Sequence, residues 1–95
     1  MSDIRHNYIL PDVLDLLSAG EIHAQFMEFA DSGENVVIDA SHVVRITTPA
    51  VQIIVALSQY LHSIDASFEI TNPSESFTEA FNFLGLMDFL KQWSN

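Results

Sequence analysis

The spacing of apolar and polar residues changes period repeatedly along the chain, and each change marks an element. IRHNYIL (4–10) is weakly strand-like and is punctuated by Pro11; DVLDL (12–16) then offers a second short strand with Val13 and Leu14 on opposite faces. In SAGEIHAQFMEFADSG (18–33) the period becomes helical, with Ile22, Phe26 and Phe29 on one side and Ala30 close by. Ser18 and Glu21 match the capping-box spacing at its start, and Gly33 is placed to stop it. NVVIDA (35–40) is short, continuous and β-branched, the pattern of a strand covered on both faces. VVRITTPAVQII (43–54) leads into a helix running to about His62, with Ala50, Ile53, Ile54, Leu57, Leu61 and then Ile64 in its apolar stripe. ASFEIT (66–71) returns to strand, Phe68 and Ile70 sharing one face. NPSESFTEAFNFLG (72–85) opens with turn residues, offers Ser76 and Glu79 as a second capping box, carries Phe77, Phe81 and Leu84 along one side and ends at Gly85. LMDFLKQW (86–93) predicts a last short helix, whose Phe89 and Trp93 either cover a sheet edge or form an exposed patch for a partner. The order strand, strand, helix, strand, helix, strand, helix, helix predicts an α/β fold with a mostly parallel sheet.

Composition adds limits. With 95 residues, 48% of them hydrophobic, the chain supports one modest core and therefore one domain, residues 1–95. No apolar run approaches the roughly 18–20 residues that span a bilayer, and no apolar stretch flanked by basic residues reads as a signal peptide, so direct membrane insertion is not expected and a cytoplasmic location is. Without cysteine there is neither a disulfide nor a thiolate metal site. Charge is more informative: 13 carboxylates stand against Arg5, Arg45 and Lys91, a net charge of −10. Such a surface repels phosphate backbones, which excludes nucleic acid as a ligand, and attracts a partner with a basic patch.

Residues that carry chemistry are present but not spaced for it. His6, His23, His42 and His62 form no pair at ligand spacing, and the three glycines build no phosphate-cradling loop. Ser41 and His42 are neighbours in sequence, which does not make a nucleophile and its base. The expectation is a protein without catalytic residues, cofactor or metal. The turn at Thr47, Thr48 and Pro49 has two readings. Thr48 as N-cap and Pro49 as first helical residue make a good helix start. The same geometry presents a hydroxyl at the positive end of a helix, where an added phosphate would be locally stabilised.

VVIDASHVVRITTPAVQIIVALSQYL (36–61) resembles the central segment of the STAS domain, the module of anti-sigma-factor antagonists and of sulfate-transporter tails. The family pattern is a buried strand ending in Asp, a Ser two positions on, an apolar residue, then Asp-Ser/Thr-x-Gly before a helix. Asp39, Ser41 and Val43 fit its first part, and Thr48 falls on the phosphorylatable position. Thr47 stands where many members carry Asp, and Pro49-Ala50 replaces the usual small residue and glycine. FEITNPSESFTEAFNFLGL (68–86) looks like the closing strand and helix, while LPDVLDL and TPAVQIIVAL look most like small STAS proteins of bacterial chemotaxis signalling. The resemblance implies a STAS-like mixed sheet of four or five strands with helices mainly on one face. It also implies a non-enzymatic signalling role: binding a partner kinase, either a chemotaxis histidine kinase or an anti-sigma-factor kinase, with Thr48 as candidate phosphoacceptor. Ser41, Arg45, Thr47, Thr48, Pro49 and Gln52 are then the partner-binding residues. The alternative it implies is an accessory subunit of a lipid-trafficking ABC transporter.

Overall fold

The computed structural model describes residues 5–93; Ile4, which opens the first expected strand, and the rest of residues 1–4 and 94–95 lie outside them. The elements are β1 (Arg5–Ile9), β2 (Val13–Leu14), α1 (Leu16–Ser32), β3 (Asn35–Asp39), β4 (Arg45–Ile46), α2 (Thr48–Ser63), β5 (Phe68–Thr71), α3 (Glu75–Phe83) and α4 (Met87–Trp93). Strands β1, β3 and β5 form a parallel sheet in that spatial order, with Tyr8, Ile38 and Ile70 in register. Strands β2 and β4 form a separate parallel pair.

The α/β fold is as expected, but a single mixed sheet of four or five strands is not what is seen: among the described residues every ladder is parallel and the five strands divide three and two. The cause is local. Pro11 has no N–H to give to a ladder, and on the partner strand the chain turns at Ser41 and His42. Hydrogen bonding continues across the break, from the Leu10 N–H to the Asp39 carbonyl (3.0 Å) and from the Val44 N–H to the Asp12 carbonyl (2.8 Å). The β2–β4 pair thus prolongs the β1–β3 ladder past a kink.

Period-two alternation sorts the three-stranded sheet into a core face and an open face. Val36 and Ile38 are wholly buried and Ile70 nearly so, whereas Val37, next along β3, is half-buried and Ile9 on β1 is 61% exposed. NVVIDA is therefore sealed on one face, not both. Helices supply the opposite wall of the core: Ile22, Phe26 and Phe29 from α1, Ile54, Leu57 and Leu61 from α2, and Phe77 and Phe81 from α3. Tyr8 meets Phe26 and Phe29 edge-on at 6.0 and 5.9 Å. Its partial burial, with a smaller contribution from Glu21, raises the phenol's pKa.

Both predicted capping boxes are displaced. Helix α1 begins before Ser18: the Ser18 N–H donates to Asp15 Oδ1 (3.1 Å) and the Asp15 N–H donates to Ser18 Oγ (2.9 Å). Asp15 is the cap and Ser18 the returning half of the box, an arrangement that also puts a carboxylate at the positive end of the helix. At α3 the cap is Ser74, not Ser76. Its Oγ accepts from the Phe77 N–H (3.1 Å) and donates to the Val43 carbonyl (2.5 Å), so one side chain both starts the helix and fastens it to the segment before β4. The end of α3 is as expected: Gly85 takes a φ of +74°, and the Leu86 and Gly85 N–H groups donate back to the Phe81 and Asn82 carbonyls, a Schellman stop.

Helix α4 lies against β5, the edge strand. Trp93 is buried, edge-on to Phe68 at 5.0 Å and to Phe81 at 5.5 Å. Of the two expected roles for the chain's last helix, covering the sheet edge is the one its tryptophan performs; Phe89 is half-buried beside it.

Candidate functional site

The turn into α2 is set by the ladder before it. The Thr47 N–H and hydroxyl both donate to the Leu14 carbonyl at the end of β2, at 2.9 and 3.2 Å. Thr47 is extended (φ −96°, ψ 161°), and its own carbonyl accepts the first helical bond from Val51 (3.1 Å), so Thr47 is the N-cap residue. Its side chain makes no capping bond, because the hydroxyl is committed to Leu14. Thr48 is consequently the first helical residue and is exposed; the expectation that it caps the helix is corrected. Pro49 follows as the second, a position whose N–H has no intrahelical partner.

The six residues expected to bind a partner fall into three places. Arg45, Thr47 and Thr48 line one groove of ≈ 370 Å³, closed on its far side by Ser76, Glu79 and Phe83 of α3. Pro49 and Gln52 lie on the other flank of α2, in a groove against α1. Ser41 lines neither of these grooves. It sits exposed in the turn after β3, where its hydroxyl and its N–H (2.9 Å to Oδ1) hold the Asp39 carboxyl below its ordinary pKa.

Two residues of the first groove were not anticipated. Phe83 is 89% exposed and Val44 64% exposed, two apolar side chains that line the same groove as Thr48. Phe83 had a legible signal, since it falls outside the Phe77, Phe81 and Leu84 stripe and so had to leave the core. Val44 is half of a Val-Val pair of which one member must point outward. The groove therefore offers a free hydroxyl, a guanidinium, a carboxylate and two exposed apolar side chains, a set suited to contact with another protein. For metal chemistry the picture is different: among the described residues no three of His, Asp and Glu converge. His6 pairs with Glu34 (2.9 Å) and Ser32 (3.0 Å) and stacks on Phe29, a link between β1 and the end of α1.

Residues 10–91 match the family model described as "Mlab, STAS domain". The chain belongs to the STAS-domain family. No curated protein matches it. STAS domains are generally non-enzymatic regulatory modules, and the parallel β/α order found here fits that fold. No helix of the described residues is long and apolar enough to cross a membrane. Where many STAS domains carry Asp beside the hydroxyl residue, this one has Thr47, and the structure gives the difference a physical content. A carboxylate there could not donate to the Leu14 carbonyl, whereas the threonine hydroxyl does and fastens β2 to the helix start.

Proposed function

We propose that this STAS domain is a regulatory binding module that docks on an ATP-binding partner kinase, of the chemotaxis histidine or anti-sigma-factor type, through the groove between the α2 start and α3. The observation that carries the proposal is that two exposed apolar side chains, Val44 and Phe83, line the same groove as the exposed Thr48. Large apolar side chains so exposed, rimmed by polar groups, mark protein contacts. Thr48 is the phosphoacceptor of this reading. A phosphate there adds a charge of about −1.5 to −2 at the centre of the contact, near Arg45, and releases the partner.

The alternative partner, the ATPase of a lipid-trafficking ABC transporter, is favoured by one feature. Thr47 leaves Thr48 without the neighbouring carboxylate of phosphorylated relatives, and subunit attachment needs a docking turn without a phosphate. Titration against each purified partner decides. Binding to the kinase weakened at least tenfold by Thr48→Asp, about 1.4 kcal/mol, with an unchanged melting temperature, and a single phosphate added by that kinase and ATP, support the first reading. Equal affinity of wild type, Thr48→Asp and Phe83→Ala for both partners overturns the docking groove.

A further inference from the structure

On the flank of α2 away from Thr48, α1 and α2 enclose a groove of ≈ 580 Å³. Its floor is Phe26 and Leu57, both buried, and its rims carry Met27 and Tyr60, 51% and 49% exposed. Because β1, β3 and β5 are parallel and each helix returns to the start of the next strand, α1 and α2 run in the same direction. The His23 end of the groove therefore adjoins Pro49 and Gln52, and the Asp31 end adjoins Tyr60. At 1.5 Å per residue these stretches are about 12 and 16 Å long, two to three helical turns. Asp31 is the one carboxylate of the lining, which includes no Lys or Arg, and the chain as a whole carries −10.

We infer that this groove receives a basic amphipathic helix from a partner protein. The helix lays its apolar face along Met27, Ala56 and Tyr60 and turns its Lys and Arg toward Asp31, the helix-in-groove mode of recognition. Charge selects this occupant over the others. Two copies of a −10 chain repel, and an anionic amphiphile finds no Lys or Arg in the lining. The inference does not rest on the Thr48 contact, since Thr48 lines a different groove.

A fluorescein-labelled helical peptide with Leu on one face and Lys on the other, about four turns long, tests this by anisotropy titration against the full chain, beside a matched Leu/Glu peptide. The Leu/Lys peptide binds and the Leu/Glu peptide does not. Ala56→Lys and Met27→Lys, both at exposed positions, each weaken binding at least tenfold with an unchanged melting temperature. Asp88→Lys on α4, a charge change at least as large, weakens it less than about threefold, in keeping with the screening of distant charges. Thr48→Asp leaves peptide binding unaltered, so a failure here is separate from a failure of the kinase contact. Absence of binding, or equal weakening by Ala56→Lys and Asp88→Lys, overturns the inference. So does a concentration-dependent dimer, seen by sedimentation, that Ala56→Lys abolishes, because the occupant would then be a second copy.

Discussion

Thr47 and Thr48 are identical side chains in adjacent positions, and the structure separates them by what their hydroxyls reach. The Thr47 hydroxyl bonds the Leu14 carbonyl, 33 residues away in sequence, while Thr48 is exposed. Thr47→Val keeps the shape and loses the donor. It should cost about 0.5–1.5 kcal/mol, at the low end because the Thr47 N–H still satisfies Leu14. Thr48→Val should stay within about 0.5 kcal/mol. Urea unfolding distinguishes them, and equal costs would return the structural role to Thr48. The two serines at the start of α3 part in the same way: Ser74→Ala at the N-cap should cost about 1 kcal/mol, as the loss of an N-cap does, and Ser76→Ala far less. Neither assignment was legible in the sequence. Capping spacing is a local signal, and what decided each case was an acceptor on a distant segment, Leu14 for Thr47 and Val43 for Ser74. Asp39 adds a pH dependence. Its carboxyl is held below its ordinary value by the Ser41 hydroxyl and N–H, so its share of stability is present above pH 3.8, the ordinary Asp value, and is lost as the pH falls through the depressed one. The melting temperature of Asp39→Asn should accordingly lie below that of wild type near neutrality, and the gap should close in acid. A gap independent of pH would mean that the carboxylate charge is not what holds the turn.

Elements were far more legible than caps, because a period of 3.6 or 2 is written over many residues. The apolar positions of α1, α2 and α3 named the core residues Phe26, Ile54, Leu61, Phe77 and Phe81 correctly, and β3 and β5 lie where the β-branched and aromatic runs put them. Strand β4 escaped notice for the opposite reason: at two residues it has no period, and it exists through its ladder with β2. The candidate site divides similarly. Arg45 and Thr48 could be read from one short turn, whereas their meeting with Phe83 depends on how α3 packs beside α2, which no local spacing encodes. Helix α4 yields the sharpest test at this scale. With seven residues it is too short to be stable alone, so its order comes from Leu90 and Trp93. Trp93→Ala removes the ring that meets Phe68 and Phe81 and should cost about 3–5 kcal/mol. Deleting the chain after Leu86 should lower the melting temperature at least as much by uncovering β5. A truncated chain as stable as the full one would show that α4 does not close the sheet edge.

For the whole molecule the governing quantity is a net charge of −10 on 95 residues, and it acts in opposite directions on folding and on association. Folding gathers the carboxylates into a small volume, so their mutual repulsion is larger in the native state than in the expanded chain. Salt shortens the reach of that repulsion, from about 10 Å at 0.1 M to about 3 Å at 1 M. The isolated protein should therefore melt higher in about 0.5 M than in about 0.05 M sodium chloride, a range over which the screening length falls severalfold. Association with a basic partner draws on the same field in the other sense, since long-range attraction steers the encounter and salt removes it. Over the same range the association rate measured by stopped flow should fall, while the dissociation rate, which the proposed docking groove assigns to short-range contacts of Phe83 and Val44, should change little. The two experiments need one protein and one salt series, and their slopes must have opposite signs. A partner whose association is indifferent to salt would not be recognising this surface by its charge, and the apolar contacts around Thr48 would then have to account for the encounter alone.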